Sequence, residues 1–279
     1  MKPTFIGIGA QKCASTWIYD ILRDHPEVAL SKPKELDFFS YHYDHGFQWY
    51  ERNFSKRPGM AALGEISPSY FHEPAVPARV KFYLPQAKVL VSLRDPVERA
   101  ISNHKHEVRI GHISGDDLSF ETGLANNPMY IEQGLYATHL SRWLQYFSPA
   151  QILIIFLEDI VADPEGVGRC VYEFLGVDNS YRSAALEQRS NASYISRYSG
   201  LEAIRKNLQL AAKSAGLDWL WRAGGRLGLR SVYHKVNRLP SETIIPSISE
   251  ATIRDLRLQF SDEISTLEQL SNRSLAHWR

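Results

Sequence analysis

The sequence predicts an α/β domain built on a central parallel β-sheet flanked by helices, with a P-loop-like corner near its start. Three observations carry this. Short apolar runs alternate with segments of helical period. Two of those runs, KVLVSL at 88–93 and QILIIFL at 151–157, are continuous, as in parallel strands buried on both faces. The opening stretch FIGIGAQKCASTWIY passes from strand to small-residue corner to helix start within fifteen residues.

The first strand is read at Thr4 to Ile8 and the first helix from Ser15 to Asp24, with apolar Trp17, Ile18, Ile21 and Leu22 at helical spacing. His25-Pro26 ends that helix, because the residue before proline avoids the helical region. Val28 to Leu30 is a short extended piece, and Ser31 to Phe39 is polar, then aromatic. GEISPSY begins as a strand and breaks at Pro68, and a short helix over 74–83 ends before Pro85. After KVLVSL, Asp95 reads as a helix N-cap, Pro96 as the first helical residue and Glu98 as the capping-box partner, with a helix to about Arg109. Gly111 to Asn127 reads as a loop and Gly134 to Phe147 as a helix. A helix over 165–175 stops at Gly176, the 201–233 stretch is basic and mostly helical, and a last amphipathic helix covers 247–270. No repeat or linker interrupts the pattern, so residues 1–279 are read as one domain, with the basic segment around 200–240 as a lid or acceptor region.

Composition narrows the function. The net charge of +1 on 279 residues gives no bulk attraction to nucleic acid. Cys13 and Cys170 form neither a metal spacing nor a disulfide framework, which suits a reducing compartment. No apolar run reaches the length of a membrane span and no leader pattern is seen, so a cytoplasmic protein is expected, with peripheral membrane contact left open. Oligomeric state is unreadable.

The corner after the first strand has the parts of a phosphate cradle. Gly7 and Gly9 permit close backbone approach, the helix start offers unpaired N–H groups, Lys12 adds a positive charge, and Ser15 and Thr16 add hydroxyls. It lacks the Gly-Lys-Ser/Thr of a Walker A loop, and Lys12 stands where the dinucleotide fingerprint has its third glycine. A second constellation follows KVLVSL. Arg94 ends that strand, and Arg99, Ser102 and His106 lie one turn apart on the next helix. Parallel sheets bind ligands at the carboxyl ends of their strands, so both constellations are expected at one edge.

GAQKCAST, LRDPVERAIS and the tail NRSLAHW, with KELDFF, GEISPSYF and GLYATHLSRWL between them, resemble the sulfotransferases that use 3'-phosphoadenosine 5'-phosphosulfate. The branch shared by bacterial enzymes and heparan sulfate sulfotransferases is the most similar. The resemblance implies that Gln11, Lys12, Cys13, Ala14, Ser15, Thr16 and Trp17 hold the 5'-phosphosulfate and that Arg94 and Ser102 hold the 3'-phosphate. It also implies that Arg189 and Asn191 lie in a loop closing over the nucleotide, and that no metal is needed. Glu35 matches the carboxylate that takes the acceptor's proton, with Lys12 as its catalytic partner at the leaving group. Phe38 and Phe39 are expected to desolvate Glu35, against Lys32 and Lys34. His104 and His106 are rival bases, while Tyr136 and His139 are candidates for the acceptor pocket and Trp143 for the core. Ala14 replaces the family's usual glycine, Ile66 stands where the heparan branch has lysine, and Asp37 where it has histidine. These departures argue against a heparan-like acceptor, leaving glycan, lipid and small-metabolite acceptors open. The rival enzyme class is a P-loop kinase using ATP and magnesium, with Asp95 as the metal ligand.

Overall fold

A computed structural model of the chain describes residues 1–55, 57–186, 194–196, 238–240 and 244–279. Arg189, Asn191 and nearly all of the basic segment around 200–240 lie outside them.

Five strands form one parallel sheet: β1 (Phe5–Gly9), β2 (Val28–Leu30), β3 (Ala62–Ile66), β4 (Lys88–Leu93) and β5 (Ile152–Phe156), in the order β2-β3-β1-β4-β5. β1 is central and wholly buried, which is why its five residues carry no polar side chain. It pairs with β3 at Phe5↔Gly64 and with β4 at Phe5↔Lys88. The chain leaves β1 towards one edge of the sheet and leaves β4 towards the other, so their carboxyl ends flank the switch point where such sheets bind ligands.

The connecting helices follow from their apolar stripes. α1 (Ser15–Asp24) buries Trp17, Ile18, Ile21 and Leu22 against the sheet. Removing each from water stabilises the fold by about 2 kcal/mol. Further along lie α2 (Gly46–Glu51), α3 (Val76–Tyr83), α4 (Pro96–Ile110), α5 (Phe120–Asn126), α6 (Met129–Glu132), α7 (Tyr136–Leu144), α8 (Leu157–Ala162) and α9 (Pro164–Leu175). α9 stops at Gly176, whose φ of 79° is the left-handed turn that glycine adopts without a Cβ clash.

The chain divides into two compact units. One comprises Met1–Asn103, Pro128–Ser190 and Glu250–Arg279 and holds the parallel sheet, with the closing helix α10 (Glu250–Ser271) packed on α7. The other comprises His104–Asn127 and Asn191–Ser249. It contains a small apolar cluster around Val108 and Ile245 and the antiparallel pair β6 (Tyr194–Ser196) and β7 (Arg238–Pro240). The 111–127 stretch is not the loop expected from its Gly, Asp and Ser content. Ser119 caps α5 by accepting from the Thr122 amide at 3.1 Å, and Phe120 anchors that helix in the interior, so one cap and one aromatic outweigh the weak local propensity. α2 and α8, six residues each, are helices that the sequence pattern does not reveal.

Candidate active site

The corner between β1 and α1 is shaped by two residues in the left-handed region, Lys12 (φ 65°) and Ala14 (φ 69°). Ala14 is the N-cap of α1, yet no side chain caps the helix and no acidic residue lies in its first turn. Left-handed turns at a helix start gather backbone N–H groups into a concave anion-binding nest. The positive end of the helix dipole adds to it. Lys12, Ser15 and Thr16 are half-buried around this turn. Cys13 turns inward instead, fully buried, with Sγ 3.5 Å from the Gln11 carbonyl and 3.6 Å from Tyr136 Oη. Burial pushes its thiol up, while the Tyr136 hydroxyl and the nearby Arg99 and Arg94 cations act the other way.

Gly7 and Gly9 serve a different purpose from the one their sequence suggests. A Cβ on Gly7 would meet Ile66 at 2.8 Å, and one on Gly9, at φ 128°, would meet the Pro68 carbonyl at 2.6 Å. Their missing side chains admit β3 and the Ser67-Pro68 turn rather than a ligand.

The second constellation stands beside the first. The Ala10 amide donates to the Ser92 carbonyl at 2.8 Å, the Ser92 hydroxyl donates to the Gly9 carbonyl at 3.2 Å, and Arg94 lies two residues on, its backbone amide reaching the Cys13 thiol. The Arg94 Nη2 pairs with Glu98 at 3.3 Å, while its Nε is buried with no partner among the described residues. Glu98 and half-buried Ser102 sit one turn apart on α4. Glu98 therefore answers Arg94, where a capping box was expected. Asp95 caps α4 alone, Oδ1 accepting from the Val97 and Glu98 amides at 2.8 and 3.2 Å. That use of the carboxylate leaves the magnesium-ligand reading of Asp95, and with it the kinase, without support.

Arg99 is not on a solvated face. It is fully buried and donates to Gln133 Oε1 at 3.0 Å and to the Tyr130 carbonyl, so it braces the helix packing behind the site. Trp17 likewise gives its indole to the core, donating to the Leu186 carbonyl at 3.2 Å, and only its backbone belongs to the helix start.

The KPKELDFF turn lies against α1 from the other side. Lys34 Nζ donates to Thr16 Oγ1 at 3.2 Å and to Glu35 Oε1 at 2.6 Å, tying the candidate base to the first turn of α1. The expected desolvation of Glu35 does not occur. Glu35 is exposed at φ 61°, while Phe38 and Phe39 face an aromatic cluster with Tyr50, Tyr70 and Tyr83. Asp37 is half-buried, with φ 49°, and its Oδ1 accepts from Ser69 Oγ at 2.6 Å. Behind it, Glu65 is fully buried and accepts from the Tyr50, Ser67 and Tyr70 hydroxyls at 2.6, 2.8 and 2.9 Å. Burial raises its pKa to about 7 despite those donors.

Tyr136 lies beneath the cradle at Cys13, not in an acceptor pocket. His139 is a core histidine, bonded to the Glu132 carbonyl at 2.8 Å and lowered to about 4 by burial, and Trp143 is core as expected. His104 is buried against the Leu118 carbonyl at 3.0 Å, and His106 accepts from Arg109 at 2.6 Å, uses that suit packing residues better than bases. The sequence names Lys34 and Asp37 only as neighbours of Glu35 and gives no signal for Glu65, which the fold places behind Asp37.

The fold defines a class: P-loop-like α/β proteins with a strand-corner-helix unit at the carboxyl end of the central strand. The chain belongs to the sulfotransferase family, its residues 2–218 matching the family model described as the sulfotransferase domain. It is 32% identical over 203 residues to bifunctional heparan sulfate N-deacetylase/N-sulfotransferase 4 of Mus musculus, covering 64% of this chain and 23% of that protein. It is 35% identical over 181 residues to heparan sulfate glucosamine 3-O-sulfotransferase 3B1 of Mus musculus, covering 63% of this chain and 46% of that one. The matched part thus spans less than half the length of these relatives. A solved sulfotransferase from Alicyclobacillus acidocaldarius superposes with a TM-score of 0.73 over 100% of this chain and 99% of its own, at 23% identity, a likeness of fold. No helix among the described residues is long and apolar enough to cross a membrane.

Proposed function

We propose that the chain moves a sulfuryl group from 3'-phosphoadenosine 5'-phosphosulfate to an acceptor hydroxyl or amine, releasing adenosine 3',5'-bisphosphate. The observation that carries this reading is the uncapped start of α1, with two left-handed residues, clamped beside Arg94 and its orphaned Nε. A ligand with an anionic group at each end fits the cations and N–H donors on offer. Both units are read as one sulfotransferase domain, because the family match runs through segments of each. Two unpaired cysteines favour a reducing, cytoplasmic setting.

Positioning and charge stabilisation do most of the work in such transfers. Gln11, Ser15 and Thr16 orient the phosphosulfate, and Arg94 and Ser102 grip the 3'-phosphate. Lys12 and the first-turn amides of α1 receive the negative charge that grows on the bridging oxygen as its bond to sulfur breaks. Glu35 takes the proton of the acceptor as the new bond to sulfur forms, and Lys34 holds Glu35 against Thr16 meanwhile. The curated relatives act, by their names, on heparan sulfate. Here Ile66 packs on Gly7 and Asp37 is a carboxylate, so a neutral glycan, lipid or small metabolite fits the acceptor side better than a polyanion.

Thermal melting in the presence of adenosine 3',5'-bisphosphate tests the donor. The bisphosphate is expected to raise the Tm of the wild type, to do so more than ATP with magnesium, and to lose its effect in the Lys12→Ala, Arg94→Ala double variant. An equal response of wild type and variant overturns the site.

A further inference from the structure

The acceptor side contains a second carboxylate, used above only as a charge that disfavours polyanions and given no part in the transfer itself. Asp37 is two residues from Glu35, on the same left-handed turn. Its environment differs from that of its neighbour. Glu35 is exposed and ion-paired to Lys34. Asp37 is half-buried, and one of its oxygens is fixed by Ser69, whose hydroxyl also meets Ser40 Oγ at 2.8 Å. Its backbone amide donates to Ser67 Oγ at 3.1 Å. Ser67 in turn donates its amide to the Gly7 carbonyl at 2.9 Å, and the Pro68 carbonyl abuts Gly9. Asp37 is thereby hung, through two serines, on the strand that ends in the cradle. Its second oxygen accepts no hydrogen bond from the described residues.

A carboxylate held by one oxygen and open at the other is pre-organised to accept a hydrogen bond from the acceptor molecule. We infer that Asp37 is a second acceptor-side catalytic carboxylate: its open oxygen accepts the hydrogen that Glu35 does not take, either the second hydrogen of an attacking amine or water or that of a hydroxyl next to the attacking one, and so aims the lone pair at sulfur. The inference rests on the sulfuryl-transfer reading. The attacking oxygen or nitrogen forms its bond to sulfur, the bond from sulfur to the nucleotide phosphate breaks, and the proton leaves to Glu35. Asp37 contributes orientation and negative potential. Burial raises its pKa, and the neighbouring Glu35 charge adds to this, while Ser69, His42 and Lys34 oppose it. Tyr41 on the same turn and Glu65 beyond Ser67 are the other titratable groups that sense its charge.

Water is an acceptor that needs no prior identification, so the test is donor hydrolysis. Sulfate release from 3'-phosphoadenosine 5'-phosphosulfate is measured against pH for the wild type and Asp37→Asn, with thermal melting in the bisphosphate alongside. Asparagine keeps an oxygen for Ser69 and replaces only the open one, so the fold is retained. The expected result is an unchanged bisphosphate shift, sulfate release lowered ten-fold or more, and an acid limb of the pH profile moved to lower pH, since a carboxylate that must be ionised has gone. Release within two-fold of wild type with the same acid limb overturns the inference. So does loss of the bisphosphate shift, which would make Asp37 structural. A wild type that neither responds to the bisphosphate nor releases sulfate overturns the sulfuryl-transfer reading itself, a result distinct from both.

Discussion

The Ala10 amide donates to the Ser92 carbonyl at 2.8 Å, just past the last paired residues of two neighbouring strands. This bond sets the spacing between the β1 corner and the Arg94 turn. Each turn alone is common; joined, they offer the proposed nucleotide donors at two points. Several consequences can be measured.

Ala14 occupies a position made for glycine, at φ 69°. A left-handed conformation costs an L-residue about 1–2 kcal/mol, and glycine loses about 0.5–1 kcal/mol in chain entropy. Ala14→Gly is therefore expected to stabilise the protein by about 0.5–1 kcal/mol, raising Tm by about 2 °C, with bisphosphate binding retained. An unchanged or lower Tm would show that the backbone there is not strained.

Glu98 holds Arg94 through a partly exposed pair, 21% and 57% accessible at the two side chains. Such a pair is worth no more than about 0.5 kcal/mol after solvent screening. In the proposed reading it competes with the 3'-phosphate for the same guanidinium. Glu98→Gln should tighten bisphosphate binding about two-fold in titration calorimetry, and the gain should shrink at high salt. Weaker binding would mean instead that Glu98 orients Arg94.

Glu65 makes the fold pH-dependent in a defined direction. Its pKa is raised to about 7 in the folded chain, from 4.5 for an unperturbed carboxyl, with burial the leading cause. The folded state holds this proton more tightly than the unfolded state. The resulting stability is complete below about pH 4.5 and is lost as pH rises through about 7, amounting to about 3 kcal/mol at the upper limit. His72 and His139, each lowered to about 4 by burial, act oppositely, losing stability as pH falls below about 6.5. The wild-type curve mixes these slopes, and Glu65→Gln isolates one. The difference in Tm between variant and wild type should shift in favour of the variant by several degrees between pH 5 and pH 8. A pH-independent difference would remove Glu65 from the titrating groups.

Much of the fold was readable because its signals are local. KVLVSL and QILIIFL are strands on composition alone, His25-Pro26 stops α1, and Asp95-Pro96 starts α4. The short helices α2 and α8 were not readable, since six residues leave little room for a period. Within the candidate site, Lys12 and Arg94 stand out as cations at strand ends. Nothing local separates Arg99, which is buried, from Arg94, which is not; that difference lies in what α6 packs against α4.

By itself, then, the sequence determined the strand-corner-helix unit, the second basic turn and the family they belong to, because propensity, capping and motif spacing are properties of neighbouring residues. Tertiary structure alone decided that the two turns adjoin across β1 and β4, that Lys34 links Glu35 to Thr16 on α1, and that Asp37 leans on serines anchored to the central strand. Those outcomes depend on strand order and on which side chains meet across distant segments, and no window along the chain contains them.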